Sequence, residues 1–145
     1  MANYTSVCRT NYFKVGRPEE FLLWVKTLPN VIWQEEHPDE HDLKGMLYVE
    51  DGDGGGWPNY RCTDEDDQPI CHEDMEFDIF DELAEFLAPN EVAIFMEVGS
   101  EKIRYLHGQA IAVHSSGEVI DISLNDIYQR VNEAWPDSKP TECNY

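Results

Sequence analysis

The negative charge of this chain is concentrated in its central third. Residues 35–85 contain nineteen Asp or Glu but only two basic side chains, Lys44 and Arg61, which gives a net charge of −17. The remaining ninety-four residues, with eleven acids and eight bases, sum to −3. A field concentrated in this way attracts basic partners and repels nucleic acid.

The chain as a whole has enough apolar residues to form a core. Of its 145 residues, 41% are hydrophobic and seventeen are aromatic. It also contains apolar runs of the kind that disordered chains lack. The apolar runs lie at 21–25, 92–96 and 111–113. We therefore expect one globular domain over 1–135, with acidic loops at 35–42 and 51–72 and a polar C-terminal tail over 136–145.

The sequence also predicts where the protein resides. No apolar run is long enough to span a bilayer, and residues 1–5 lack the basic and apolar regions of a signal peptide. An anionic membrane surface would repel the chain. We expect a protein of the host-cell cytoplasm, in which Cys8, Cys62, Cys71 and Cys143 are thiols.

Strand patterns and one helix make up the first half of the chain. Residues 3–15 predict a strand, with an irregular alternation that suggests a bulge near Arg9 and Thr10. Pro18 is expected to open a helix that ends before Pro29. Further short strands are predicted at 31–33, 45–50 and 57–62.

Residues 72–88 have the clearest helical periodicity. Four acidic residues recur at helical spacing, opposite an apolar stripe, and the pattern is best defined over 78–88. The acidic residues are Asp74, Asp78, Asp81 and Glu85. In a helix that rises about 1.5 Å per residue, these carboxylates would form a row that resembles spaced phosphates.

The last third predicts a strand meander followed by a helix. The strands are expected at 91–98, 103–114 and 117–122, with turns at Gly99-Ser100 and at 115–117. Ser123 is expected to cap the final helix, with Asp126 three residues on. Its buried face is expected to carry Ile127, Val131 and Trp135.

The element order β-α-β-β-β-α-β-β-β-α defines the expected fold class. Long runs of consecutive strands with few intervening helices favour antiparallel pairing. The sequence therefore predicts an α+β fold with a mostly antiparallel sheet of about five to six strands. Two to three helices are expected to pack on it.

Motifs that would indicate catalysis or a metal site are incomplete. His37-Pro38-Asp39-Glu40-His41 matches the H-x-x-E-H zinc-protease pattern, but Pro38 disfavours the helix that this motif requires. The sequence has no phosphate-binding glycine loop and no Gly-x-Ser-x-Gly elbow. We therefore expect no enzymatic activity and no cofactor.

Two weaker metal patterns leave an alternative open. Cys62, Cys71 and His72 could contribute to a zinc site, although no C-x-x-C pair occurs. Residues 51–56 resemble the start of a calcium loop, but Cys62 stands where the EF-hand needs an acid. A metal-binding protein remains an alternative function on these grounds.

The acidic surface is the remaining functional signal. Duplex DNA carries one charge per roughly 1.7 Å, so seventeen negative charges correspond to roughly 29 Å of duplex. A halophilic protein would spread its acids evenly, whereas the flanks here are almost neutral. The partner-binding residues are predicted to be Asp64, Glu65, Asp66, Asp67, Asp74, Asp78, Asp81 and Glu85, with Glu35, Glu36, Asp39 and Glu40 secondary.

Two segments carry a resemblance to other proteins. Residues 5–15 and 91–105 are similar to the two recognisable blocks of small uncharacterised acidic proteins of phages and mobile genetic elements. The resemblance implies a setting in which acidic proteins act as DNA mimics of the anti-CRISPR or anti-restriction type. No catalytic residue is implied.

Together, charge and resemblance favour a non-enzymatic inhibitor. The expected partner is a basic nucleic-acid-binding protein of a host defence system, whose DNA- or RNA-binding cleft the acidic surface would occupy. Direct binding to nucleic acid or to a membrane is not expected. An immunity protein that neutralises a nuclease toxin is the alternative with the same surface chemistry.

Overall fold

The computed structural model describes residues 4–36, 43–50, 56–58, 78–102 and 105–143, and the architecture is that of these residues. They form a seven-stranded antiparallel sheet with three helices, which confirms the α+β class. In chain order the elements are β1 (Thr5–Thr10), β2 (Phe13–Lys14), α1 (Pro18–Lys26), β3 (Val31–Glu35), β4 (Lys44–Val49), α2 (Ile79–Ala84), β5 (Val92–Glu101), β6 (Tyr105–His114), β7 (Val119–Ser123) and α3 (Asp126–Ala134).

The sheet is built around two central strands, β4 and β5. β4 pairs with β3 along one edge and with β1 and β2 along the other. β1 then pairs with β5, and β5, β6 and β7 follow as consecutive hairpins. Sequence neighbours are thus also neighbours in space over the C-terminal half, as short hairpin connections require.

The first predicted strand is divided at Asn11, not at Arg9-Thr10. The Asn11 side chain replaces a backbone pairing, since its Nδ2 donates to the Val92 carbonyl at 3.1 Å and its Oδ1 accepts from Ile94 N at 2.8 Å. The Thr10 hydroxyl accepts from Leu47 N at 2.9 Å. These side chains satisfy backbone groups that an uninterrupted strand would pair, so the interruption between β1 and β2 costs few hydrogen bonds.

One face of the sheet is covered by α1 and α2. Phe13, Phe21, Leu47 and Leu83 are fully buried there. Phe21 also packs edge-to-face against Trp33, with ring centroids 4.8 Å apart. This layer of aromatic and aliphatic side chains is the hydrophobic core, and its burial supplies the main driving force for folding.

The opposite face of the sheet is open among the described residues. Its apolar side chains remain in solvent, with Ile120 72% exposed. Helix α3 leaves most of its own apolar side chains in solvent: Ile127 is 55% exposed and Trp135 63% exposed, while Val131 is half-buried. The buried face predicted for α3 is therefore wrong, because an amphipathic pattern does not itself provide a surface to pack against.

Three other predictions about local structure are corrected. The helix predicted over 78–88 ends at Ala84, because the backbone of residues 86–88 pairs with residues 14–16 instead. Gly99 and Ser100 lie inside β5 rather than in a turn. The N-cap of α3 is Asn125, whereas Ser123 ends β7 and donates its N–H to Asp126 Oδ2 at 2.8 Å.

The predicted strand over 57–62 lies mainly outside the described residues, and the part that is described, 57–58, is not in a strand. The three described helices contain nine, six and nine residues. None of the helices in these ranges has the length and apolar character needed to cross a membrane.

The two sheet faces predict opposite responses to truncation. Leu47→Ala should lower the free energy of unfolding by about 2–5 kcal/mol, because it opens a cavity in the core. Ile120→Ala should cost less than about 1 kcal/mol, because its side chain is already in water. Urea denaturation followed by circular dichroism measures both, and equal losses would contradict an open outer face.

Candidate functional site

The core-facing side of β5 changes from apolar to acidic along the strand. Alternate residues share one face, and on this face Ala93 and Phe95 are buried in the core. The next position is Glu97, whose side chain is only 14% exposed. The same alternation that places Phe95 in the core thus places a carboxylate at the end of the core.

Three neutral groups donate to the Glu97 carboxylate. Tyr4 donates its hydroxyl to Oε2 at 3.1 Å, and Trp57 donates its backbone N–H to Oε1 at 3.3 Å. The Cys8 thiol lies 3.6 Å from Oε1 as a weak donor. Because each donor is neutral, these bonds solvate the anion without cancelling its charge.

His107 is the one titratable cation that the described residues place against Glu97. Its Nε2 lies 2.8 Å from Glu97 Oε2, and the imidazole is 41% exposed. The ring N–H is not aligned for a hydrogen bond, so the contact is a charge–charge approach that strengthens only when the ring is protonated.

Two glycines allow this arrangement. A side chain at Gly99 would overlap the Tyr4 ring, and a side chain at Gly56 would overlap the Glu97 carboxylate. Gly99 therefore lets Tyr4 cross β5 towards Glu97, and Gly56 lets the chain bring Trp57 N to the same carboxylate. Their role is close approach of backbone and side chain, not a turn.

Burial and the Glu97 charge disfavour ionisation of the neighbouring acids. Burial raises the pKa of the Tyr4 hydroxyl to about 12, with a further contribution from its hydrogen bond to Glu97. Burial also raises the pKa of the Cys8 thiol to about 11, and the Glu97 charge adds to this shift while the Ser6 hydrogen bond opposes it. Cys8 is thus a poor nucleophile near neutral pH.

A recess of about 290 Å³, partly open to solvent, adjoins Glu97. Phe95 is in contact with two aromatic rings at nearly right angles, Trp57 at 4.8 Å and Phe80 at 4.9 Å between centroids. The polar side chains that line the recess are Asp78, Glu97 and Gln109. The recess therefore combines aromatic surfaces with two carboxylates.

Of the acidic residues predicted for the central helix, Asp78 lines this recess, whereas Asp81 and Glu85 do not. Asp78 is the N-cap of α2, where its Oδ1 accepts from Phe80 N at 2.9 Å and from Asp81 N at 3.4 Å. Asp78, Asp81 and Glu85 are all exposed. A carboxylate at a helix N-terminus is stabilised by the dipole, so Asp78 supports both the helix and the negative surface.

A cation lies near the other end of α2. The Arg17 guanidinium donates to the Glu85 carbonyl at 3.0 Å and pairs with Glu20 at 2.8 Å. It also stacks over the Phe86 ring, 5.0 Å from its centroid. A basic side chain therefore lies at the C-terminal end of α2, whereas no Lys or Arg of the described residues pairs with Asp78 at the N-terminal end.

Glu35 and Glu36 lie in a different part of the sheet. Glu35 ends β3, and Glu36 pairs with Lys44 at 3.1 Å, which offsets its charge locally. β4 and β1 separate β3 from β5, so roughly 14 Å lies between the two strands at the usual spacing. The structure does not place these two secondary residues beside the recess.

The other predicted binding residues, Asp39, Glu40, Asp64, Glu65, Asp66, Asp67 and Asp74, lie outside the described residues, as do Cys62, Cys71 and His72. By sequence, residues 59–77 carry a net charge of −6. The residues that flank this stretch, Pro58 and Asp78, both line the recess. In the described part of the chain, no group of three His, Cys, Asp or Glu side chains could hold a metal ion.

The recess residues were not among those predicted from the sequence, apart from Asp78. A signal was present for Glu97, which follows Ala93 and Phe95 at alternate positions of a predicted strand. A charged residue that continues an apolar alternation is a candidate half-buried carboxylate. Trp57 carried no comparable signal, because only the tertiary fold brings it to β5.

Comparison with known protein families, with curated proteins and with solved structures finds no match to this chain.

The environment of Cys8 predicts low reactivity. At pH 8 a thiol of pKa about 11 is deprotonated in about one molecule per thousand, so iodoacetamide should label Cys8 very slowly. Labelling should accelerate about tenfold per pH unit up to pH 10. Peptide mass spectrometry measures this, with exposed Cys143 as the internal control. Equal labelling rates for Cys8 and Cys143 at pH 8 would contradict the buried, neutral thiol.

Proposed function

We propose that this protein is a non-enzymatic inhibitor that occupies the nucleic-acid-binding cleft of a basic partner protein. Its carboxylates take the positions of nucleic-acid phosphates, and Lys and Arg side chains of the partner pair with them. A nucleic-acid-binding protein of a host defence system, such as a CRISPR or restriction complex, is the partner that fits the acidic charge and the resemblance.

The observation that carries this proposal is uncompensated negative charge at the N-terminal end of α2. Asp78 and Asp81 are exposed, and no basic side chain of the described residues pairs with them. Glu97 lies in the adjoining recess, and a stretch of net charge −6 is attached at Pro58 and Asp78. Asp78 and Glu97 thus border the same recess, and no Lys or Arg of the described residues pairs with either of them.

The affinity of such a surface for its partner comes from the number of ion pairs rather than from the strength of any single pair. An exposed ion pair contributes about 0.2–1 kcal/mol, so a handful of them is needed for a stable complex. Long-range attraction between opposite charges raises the association rate, and added salt screens it over about 8–10 Å. Binding should therefore be fast and strongly dependent on ionic strength.

Neutralising the α2 carboxylates tests the proposal. The protein is used to capture partners from a nuclease-treated lysate of its host, and the DNA binding of each purified partner is measured by fluorescence anisotropy with increasing inhibitor. The triple variant Asp78→Asn, Asp81→Asn, Glu85→Gln should need at least about tenfold more protein for half-inhibition, since three charge pairs are lost. Asn at the N-cap preserves the helix.

A matched variant controls for net charge. Glu118→Gln, Glu133→Gln and Asp137→Asn remove three exposed carboxylates that do not line the recess and should leave inhibition within about twofold of the unmodified protein. Equal losses in both variants, or none in the α2 variant, would contradict the proposed site. Capture of a nuclease toxin would identify an immunity protein instead, and stoichiometric zinc or calcium by elemental analysis would favour a metal-binding protein.

A further inference from the structure

We infer that the recess beside Glu97 is a binding site for a guanidinium group, and that an arginine side chain of the partner occupies it. The side chains that line the recess are sufficient grounds for inferring a guanidinium site. That the arginine belongs to a partner protein rests on the proposed function.

The aromatic surfaces of the recess suit a flat cation. Trp57 and Phe80 each meet Phe95 at nearly a right angle, 81° and 89° between ring planes, so ring surfaces of different orientation border the same space. Ring faces carry partial negative charge and attract cations, most strongly with tryptophan. A guanidinium is planar and weakly hydrated, so it stacks on such rings at a lower desolvation cost than an ammonium.

The carboxylates of the recess provide the opposite charge. Glu97 is mostly buried, and its three hydrogen-bond donors are neutral. Among the described residues, His107 approaches it at 2.8 Å, and no Lys or Arg pairs with it. A carboxylate removed from water is stabilised by a paired cation. Asp78 adds a second carboxylate at the recess, and the Gln109 side chain provides an amide oxygen.

The size of the recess limits what can enter. A volume of about 290 Å³ is at the lower end of ligand pockets and suits one long side chain rather than a nucleotide or a large cofactor. An anion would be repelled by Glu97 and Asp78. A neutral apolar group would contact the rings but bring no positive charge to pair with Glu97 or Asp78.

Small amide analogues of single residues test the inference without the partner. Amide chemical shifts of the intact chain are followed by NMR during titration with N-acetyl-arginine amide, and with N-acetyl-citrulline amide, which has nearly the same shape but no charge. Arginine amide should bind with a dissociation constant on the order of 1–10 mM and shift the signals of Trp57 and Glu97. Citrulline amide should bind at least about tenfold more weakly.

The lysine analogue tests the choice of cation. N-acetyl-lysine amide should bind several-fold more weakly than the arginine compound, because its compact ammonium is more strongly hydrated and cannot stack. Equal affinity for the citrulline and arginine compounds would overturn the inference of a cation site. Tighter binding of the lysine compound would overturn the assignment of a guanidinium.

Two variants locate the site. Glu97→Gln keeps an acceptor for Tyr4 and removes the charge, and Phe80→Leu removes a ring while remaining apolar. Each should weaken arginine amide by about fivefold or more, whereas Glu118→Gln should have no effect. If Glu97→Gln does not fold, Phe80→Leu alone decides, and unchanged affinity in it would overturn the inference.

The partner assay separates this inference from the proposed function. If arginine amide binds and Phe80→Leu also weakens inhibition of the captured partner, both stand. If the α2 triple variant loses inhibition but Phe80→Leu retains it, the proposed function survives, and the partner arginine in the recess is overturned.

Discussion

The period-two alternation of β5 determines which of its side chains enter the core and which carboxylate lies beside the core. Phe95 and Glu97 are two residues apart on one face, so the strand that anchors the core also holds the buried carboxylate. A register slip of one residue would move both side chains to the open face. The pairing of β5 with β1 and β6 along its length fixes that register. The core and the recess therefore lie next to each other on the same face of the sheet.

The hydrophobic core supports one side of the recess. Phe95 contacts both Trp57 and Phe80, so the rings of the recess are held by the core itself. The half-buried Glu97 carboxylate costs stability, which burial of the aromatic layer offsets. The surface charge beyond it, at Asp78 and Asp81, remains in solvent and is available to a partner. Helix α2 thus packs into the core with one face and presents its carboxylates to solvent with the other.

The sequence predicted what depends on local pattern and failed where tertiary packing decides. Pro18, the helical periodicity of α2 and the strand alternation of the C-terminal third predicted the α+β fold. The apolar stripe of α3 predicted burial wrongly, because a pattern does not name the surface that covers it. Gly99 suggested a turn, although its role is to admit the Tyr4 ring. The recess joins residues distant in sequence, so only the fold could place them together.

We propose that the N-terminal end of α2 and the adjoining recess form the most electronegative part of the described surface. Paramagnetic relaxation of amide protons by a cationic and an anionic nitroxide cosolute reports the local electrostatic potential directly. We expect the largest ratio of cationic to anionic enhancement at Trp57, Asp78 and Asp81, well above that at Val119 and Ile120, and a fall in this difference with added salt. Equal ratios at both places would contradict it.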